Sequence, residues 1–130
     1  MQVVIDPSAI LAVLLDEPQR EAVIAASGAA ILLAPGSAPW EVGNALIAGL
    51  RRRRLTLAAV EAAWRSFEAI PLRLIDIDVP RALKLAAEHG LYAYDAYVLE
   101  AALGRRLPLL SLDQQLLRAA EQAGITLLEI

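Results

Sequence analysis

Cysteine is absent from this 130-residue chain, so disulfides, zinc-thiolate sites, iron-sulfur clusters and cysteine nucleophiles all drop out together. The absence is compatible with a reducing cytoplasm, the compartment expected here. Histidine occurs once, as His89, one residue before Gly90 at the end of a predicted helix, and a Ser-His-Asp hydrolase would have to use it. No Gly-x-Ser-x-Gly elbow surrounds any serine, which argues against that class. Lysine also occurs once, as Lys84, and with neither Gly-x-Gly-x-x-Gly nor a Walker lysine present, no phosphate-cradling loop is expected. Aromatics make up 5% against 58% hydrophobic residues, so Ala, Leu, Ile and Val must build the core. Trp40, Trp64, Phe67, Tyr92 and Tyr97 are read as core or interface filler, and Tyr94, beside Asp95, as a cleft-lining ring.

Positive charge is not in excess: 12 Lys+Arg against 15 Asp+Glu give a net charge of −3. A nucleic-acid surface must therefore be a local patch. No charge falls between Glu21 and Glu41, but Gly28, Pro35, Gly36, Ser37 and Pro39 break that stretch, so no membrane span is expected. Met1 and Gln2 supply no basic region and Asp6 interrupts the first apolar run, so no signal peptide is expected and the mature chain is expected to begin at Met1.

What is present is one domain's worth of alternating strands and helices over residues 1–130, with no internal repeat or linker. Val3 to Ile5 reads as a strand stopped by Asp6-Pro7-Ser8, and Ala9 to Leu15 as a helix with Pro7 near its first turn. Residues 18–27 suit a helix closed by Gly28, and Ala30 to Leu33 a strand closed by Pro35-Gly36. Helices are predicted from about Pro39 to Arg53 and from Leu57 to Ala69, then a strand over Leu72 to Ile77. Asp78 and Pro80 open a helix that reaches His89, and Tyr94 to Leu103 forms another, ended by Gly104. A strand over Leu107 to Ser111, a helix from Asp113 to Ala123 and a final strand from Ile125 to Leu128 complete the reading. Short apolar strands separated by helices imply a three-layer α/β/α sandwich with a central, mainly parallel sheet.

In such a sheet, ligands bind outside the carboxyl ends of the strands. Asp6 ends the first strand and Asp113 follows the fourth, while Glu41 and Asp95 lie in first turns of helices. Each alone has a plain structural use: Asp6 and Asp113 as N-caps, Glu41 and Asp95 as complements to the helix dipole, worth roughly 0.3–1 kcal/mol. Gathered into one cleft, four carboxylates would repel strongly unless a cation neutralised them. All-oxygen ligands without His or Cys suit Mg²⁺ or Mn²⁺, held by a few carboxylates together with substrate phosphates. Such a site fits phosphodiester hydrolysis.

The segments Val3-Val4-Ile5-Asp6-Pro7-Ser8-Ala9-Ile10-Leu11-Ala12, Ala34-Pro35 through Trp40-Glu41-Val42-Gly43-Asn44-Ala45-Leu46, Leu91-Tyr92-Ala93-Tyr94-Asp95-Ala96 and Leu109-Leu110-Ser111-Leu112-Asp113-Gln114-Gln115-Leu116 occur in an order and spacing that resembles the PIN-domain nucleases. Within these the chain is similar to the VapC-type toxins of bacterial and archaeal type II toxin-antitoxin systems, over nearly its whole length. Pro7 departs from the small or β-branched residue more common there, and Ser111 from threonine, but neither change removes a ligand. The resemblance implies metal-dependent cleavage of RNA, growth inhibition by that cleavage, and neutralisation by a cognate VapB-like antitoxin. It makes Asp6, Glu41, Asp95 and Asp113 the catalytic acids. Asp6, Asp95 and Asp113 would coordinate Mg²⁺ or Mn²⁺ directly or through water, with Glu41 sharing a ligand or orienting the attacking water. Ser8 and Ser111 would support the acids by hydrogen bonds, and Asn44, three residues after Glu41 on the same helical face, is a candidate for the pocket edge.

Arg51-Arg52-Arg53-Arg54 is read either as a solvated helix end that complements the dipole or, with Arg105 and Arg106, as a patch gripping RNA phosphates. The apolar helices of residues 8–27 and 39–69 carry more apolar surface than one small sheet covers, which fits a homodimer face or a groove for a partner helix. Asp76 and Asp78 form a second acidic pair, but Asp78 before Val79-Pro80 is read as an N-cap, not a ligand. The competing reading is a non-catalytic, cation-binding α/β interaction module, receiver-like or a degenerate PIN domain. A receiver would need a late lysine, whereas Lys84 sits within a helix. A phosphatase with Asp6 as nucleophile would prefer a second acid at position 8, where this chain has serine.

Overall fold

The computed structural model describes residues 1–130. The elements run β1 (Gln2–Ile5), α1 (Pro7–Leu14), α2 (Arg20–Ser27), β2 (Ile31–Pro35), α3 (Ala38–Arg51), α4 (Leu57–Glu68), β3 (Leu72–Ile75), α5 (Val79–His89), α6 (Ala93–Arg105), β4 (Leu109–Leu110) and α7 (Gln114–Gln122). Four strands form one parallel sheet in the order β3-β2-β1-β4. From β1 the chain steps outward through β2 to β3, then returns to place β4 on the other side of β1. The sheet thus has its topological switch point between β1 and β4, where open α/β sheets leave a crevice.

Alternation along the strands sorts side chains onto two faces. Val3, Ile5 and Leu110 enter one core with Ala9, Ile10, Val23, Val42, Leu46, Ala63 and Phe67 from α1 to α4. Val4, Leu33 and Leu109 enter the other with Leu85, Val98, Leu99, Leu116 and Ala120 from α5 to α7. Two apolar cores on opposite faces of one sheet make the three-layer sandwich that the sequence predicts.

The starts of α1, α5 and α7 follow the acids named for them, and α4 likewise follows Thr56, not singled out in the sequence. Asp6, Thr56, Asp78 and Asp113 cap α1, α4, α5 and α7, each accepting a backbone N–H of the first turn. Gly90 ends α5 in the left-handed region at φ +66°. Gly104, expected to stop α6, lies inside it instead: a Cβ there would come within 2.7 Å of the Glu100 carboxylate, so the glycine makes room for a buried acid one turn earlier. Arg106 takes the left-handed terminating position.

Three strand expectations are corrected. β3 ends at Ile75, and β4 is only two residues long because Pro108 has no N–H to extend the ladder and Ser111 turns toward β1. The expected final strand over 125–128 reduces to a single bridge between Leu127 and Leu109, since so short a neighbour offers no further backbone to pair with. The charge-free stretch divides into the end of α2, β2 and the start of α3, and no helix is long and apolar enough to cross a membrane.

Candidate active site

Asp6 follows directly on β1, and its backbone N–H donates to the carbonyl of Leu110 at 2.9 Å, fixing it across the switch point from the end of β4. Its side chain is only 3% exposed. All its protein hydrogen bonds land on Oδ2: the Ser8 N–H at 3.2 Å, the Ser111 hydroxyl at 3.0 Å and the Ser8 hydroxyl. Oδ1 is left without a protein donor. Both serines are themselves tied to the chain after β4, Ser8 Oγ accepting the Leu112 N–H and Ser111 Oγ accepting the Asp113 N–H, each at 3.0 Å. Ser8 and Ser111 therefore stitch the end of β1 to the end of β4 and hold one carboxylate oxygen in place.

Asp113 repeats the pattern. Its Oδ1 caps α7 by accepting the Leu116 N–H at 3.0 Å, and its other oxygen has no protein partner. Capping and ligand duty are thus compatible for both residues, because each cap occupies one oxygen. Glu41 and Asp95 are half-buried in the first turns of α3 and α6 and have no hydrogen-bonding or ion-pairing partner in the protein. The protein's ion pairs are those of Arg20 with Asp16 and Glu21, so no basic side chain neutralises any of the four acids.

The electrostatics show that the four share one region. Burial pushes Glu41 up to about 7, and the charges of Asp6, Asp95 and Asp113 add to the rise. Burial likewise pushes Asp95 up to about 6, helped by Asp113 and Asp6. Asp6 is raised by burial and by Asp113, against the opposing pull of its serine hydrogen bonds. Such mutual repulsion without a cationic partner marks a functional cleft more often than a structural one.

The donor set is all oxygen and fits a hard divalent cation. No group of three or more acids or histidine converges closely enough in this structure to hold an ion together. Mg²⁺ keeps several waters and takes only one or two carboxylates directly, so its binding does not require three of them to converge.

The remaining candidates make no hydrogen bond or ion pair with the four acids. Asn44 is exposed and lines a shallow groove with Ile47, Ala48, Arg51 and Arg52. Arg51 lies ten residues after Glu41 along α3, roughly 15 Å by helical rise. Arg51 to Arg54 are exposed and pair with no carboxylate. Arg105 lies as far along α6 from Asp95 and borders a polar hollow with Asp76, Asp78, Arg81 and Glu100, while Arg106 faces a different hollow with Leu107 and Thr126. Asp78 caps α5 as expected.

Two features escaped sequence reasoning. Trp40, read with Tyr92 as core or interface filler, is 72% exposed, outside the core as Tyr92 is at 82%. Its signal lay in the helical phase, since Ala38, Val42 and Leu46 are the buried residues of α3 and Trp40 falls opposite them. Glu100 is 5% exposed and accepts the Asp78 N–H at 3.1 Å; a charge within the apolar face Ala96-Leu99-Glu100 was its signal.

A family model described as a PIN domain matches residues 3–122 of the chain. The fold is similar to the crystal structure of PAE2754 from Pyrobaculum aerophilum, with 23% identity and a TM-score of 0.73 over 98% of this chain and 84% of that one. None of the curated proteins matches the chain.

Proposed function

The chain belongs to the PIN-domain family, a nuclease-type fold, and from that premise we propose that it is a Mg²⁺- or Mn²⁺-dependent endoribonuclease, the toxin of a VapBC-type toxin-antitoxin pair acting in the cytoplasm. The observation that carries the reading is the set of four electrostatically coupled carboxylates at the switch point of the sheet, with no basic partner among them.

Asp6, Asp95 and Asp113 would hold the cation, directly or through water. When bound, it would lower the pKa of the attacking water and offset charge building on the phosphate and the leaving oxygen. Ser8 and Ser111 fix Asp6 by occupying Oδ2, so that Oδ1 remains the oxygen available for binding. Glu41, which makes no protein hydrogen bond, can accept a hydrogen bond from the attacking water and orient it toward the phosphorus. An antitoxin and a second copy of the chain are the proposed partners, supported by the apolar side chains of Ile47 on α3 and Leu57 on α4, 44% and 58% exposed.

The test is cleavage of a mixed cellular RNA pool by the purified protein with Mg²⁺, with Mn²⁺ and with EDTA, beside an Asp6→Asn control. Metal-dependent cuts lost in the variant establish the nuclease and reveal its substrate. Equal inertness of folded wild type and variant with both metals would replace it with a non-catalytic cation-binding module.

A further inference from the structure

Beside the acid cleft lies a hollow of about 460 Å³, within the range of about 300–1,000 Å³ usual for small-molecule sites. Trp40, Tyr97, Pro35, Ile75 and Val79 form its apolar walls, and Asp76 is the one charged residue on its lining. It opens at the carboxyl ends of β2 and β3, whereas Asp6 and Asp113 stand at those of β1 and β4. Neighbouring strands are roughly 4.8 Å apart, so the two sites are separated by one or two strand spacings along the same edge. The same two helices serve both: α3 supplies Trp40 to the hollow and Glu41 to the cleft, and α6 supplies Tyr97 and Asp95.

The chemistry of the lining selects its occupant. An exposed indole beside a phenol ring is a stacking platform, and Tyr97 is steadied by an edge-on contact with Tyr94 at 5.9 Å between centroids. With no cation present and one carboxylate, the hollow repels phosphate but accepts N–H donors. A flat, neutral ring with an exocyclic amino group satisfies both conditions, whereas the N3–H of uracil is flanked by two carbonyl oxygens that a carboxylate repels.

We propose that the Trp40–Tyr97 hollow is a nucleobase subsite, taking an unpaired adenine, cytosine or guanine of the RNA strand next to the phosphate held at the acid cleft, and disfavouring uracil through Asp76. The inference rests on the nuclease reading for the identity of the strand. It restricts the substrate to single-stranded RNA, because only an unstacked base can enter. Trp40 and Asp76 are then specificity determinants, distinct from the acids that do the chemistry.

The test uses the full chain carrying Asp6→Asn, in EDTA so that nothing is cut, and reads fluorescence anisotropy of labelled five-nucleotide oligo(A), oligo(C) and oligo(U). Oligo(A) and oligo(C) should bind about fivefold or more tightly than oligo(U). Trp40→Ala should lower affinity for both by about fivefold or more. Asp76→Asn should leave stacking in place and bring oligo(U) to within about twofold of oligo(C). Affinities untouched by Trp40→Ala, or the absence of any base preference, would overturn the subsite. Loss of a dimer on Trp40→Ala without change in RNA affinity would assign the hollow to a second copy, which also overturns it. Failure of the nuclease reading shows separately, as absence of metal-dependent cleavage by the Asp6-containing chain.

Discussion

Asp6 meets two demands with one carboxylate. Oδ2 caps α1 and receives both serines, while Oδ1 remains for a ligand. Asparagine preserves the cap, because its amide oxygen can still accept the Ser8 N–H, but removes the charge. Asp6→Asn should therefore lower RNA cleavage by at least about a hundredfold, several kcal/mol of lost electrostatic stabilisation, while the urea midpoint of the metal-free protein stays the same or rises. A large fall in that midpoint would return Asp6 to a purely structural role. Glu41 and Asp95 give a pH signature of the same origin. Their values of about 7 and about 6 lie above the ordinary 4.5 and 3.8, so the folded chain keeps protons that the unfolded chain has released. Stability is then fully present below about pH 4 and falls as pH rises toward 7. Melting in EDTA should occur at a higher temperature at pH 5 than at pH 8, and Mg²⁺ should restore stability at pH 8 by favouring the ionised carboxylates. A melting temperature that rises with pH in EDTA would contradict the repulsion between the acids.

At the scale of elements, the site depends on holding two strand ends together. β4 has only two residues, so its attachment to β1 leans on Ser8 and Ser111 as well as on the ladder. Ser111→Ala removes a donor to Asp6 and strands the Asp113 N–H, which should cost about 1–3 kcal/mol in urea denaturation whether or not metal is present. A cost seen only with metal bound would mean that the hydroxyl serves the ion rather than the strand junction. The starts of α1, α5 and α7 were legible because Asp6, Asp78 and Asp113 cap through local hydrogen bonds visible in a short window of sequence. The run of α6 through Gly104 was not, because it depends on where the Glu100 carboxylate sits after folding.

Across the whole molecule, charge is divided. The acids occupy the carboxyl edge of the sheet, and Arg51 to Arg54 lie at the other end of α3. If RNA extends from the cleft to that patch, replacing all four arginines with glutamine should weaken binding and flatten its salt dependence. On a single strand the slope should fall by about 0.7 for each phosphate no longer neutralised, without any change in metal affinity. An unchanged slope would leave the run as a solvated helix end. The two cores explain why the layered architecture could be read in advance. Strands apolar on both faces demand helices on both sides, and Val3, Val4 and Ile5 alternate between the cores within a single short run.

The sequence by itself determined the alternation of strands and helices, the caps and the order of the four acids, because each depends on residues close along the chain. Tertiary structure alone decided that β4 returns beside β1, which brings residues more than a hundred positions apart, Asp6 and Ser111, within hydrogen-bonding reach. It also decided that no three of the acids converge on one point, and that Trp40 faces outward over a hollow shared with Tyr97. Those outcomes depend on how separate elements pack and on which polar groups find partners once water is excluded, and neither is written in any local stretch of the chain.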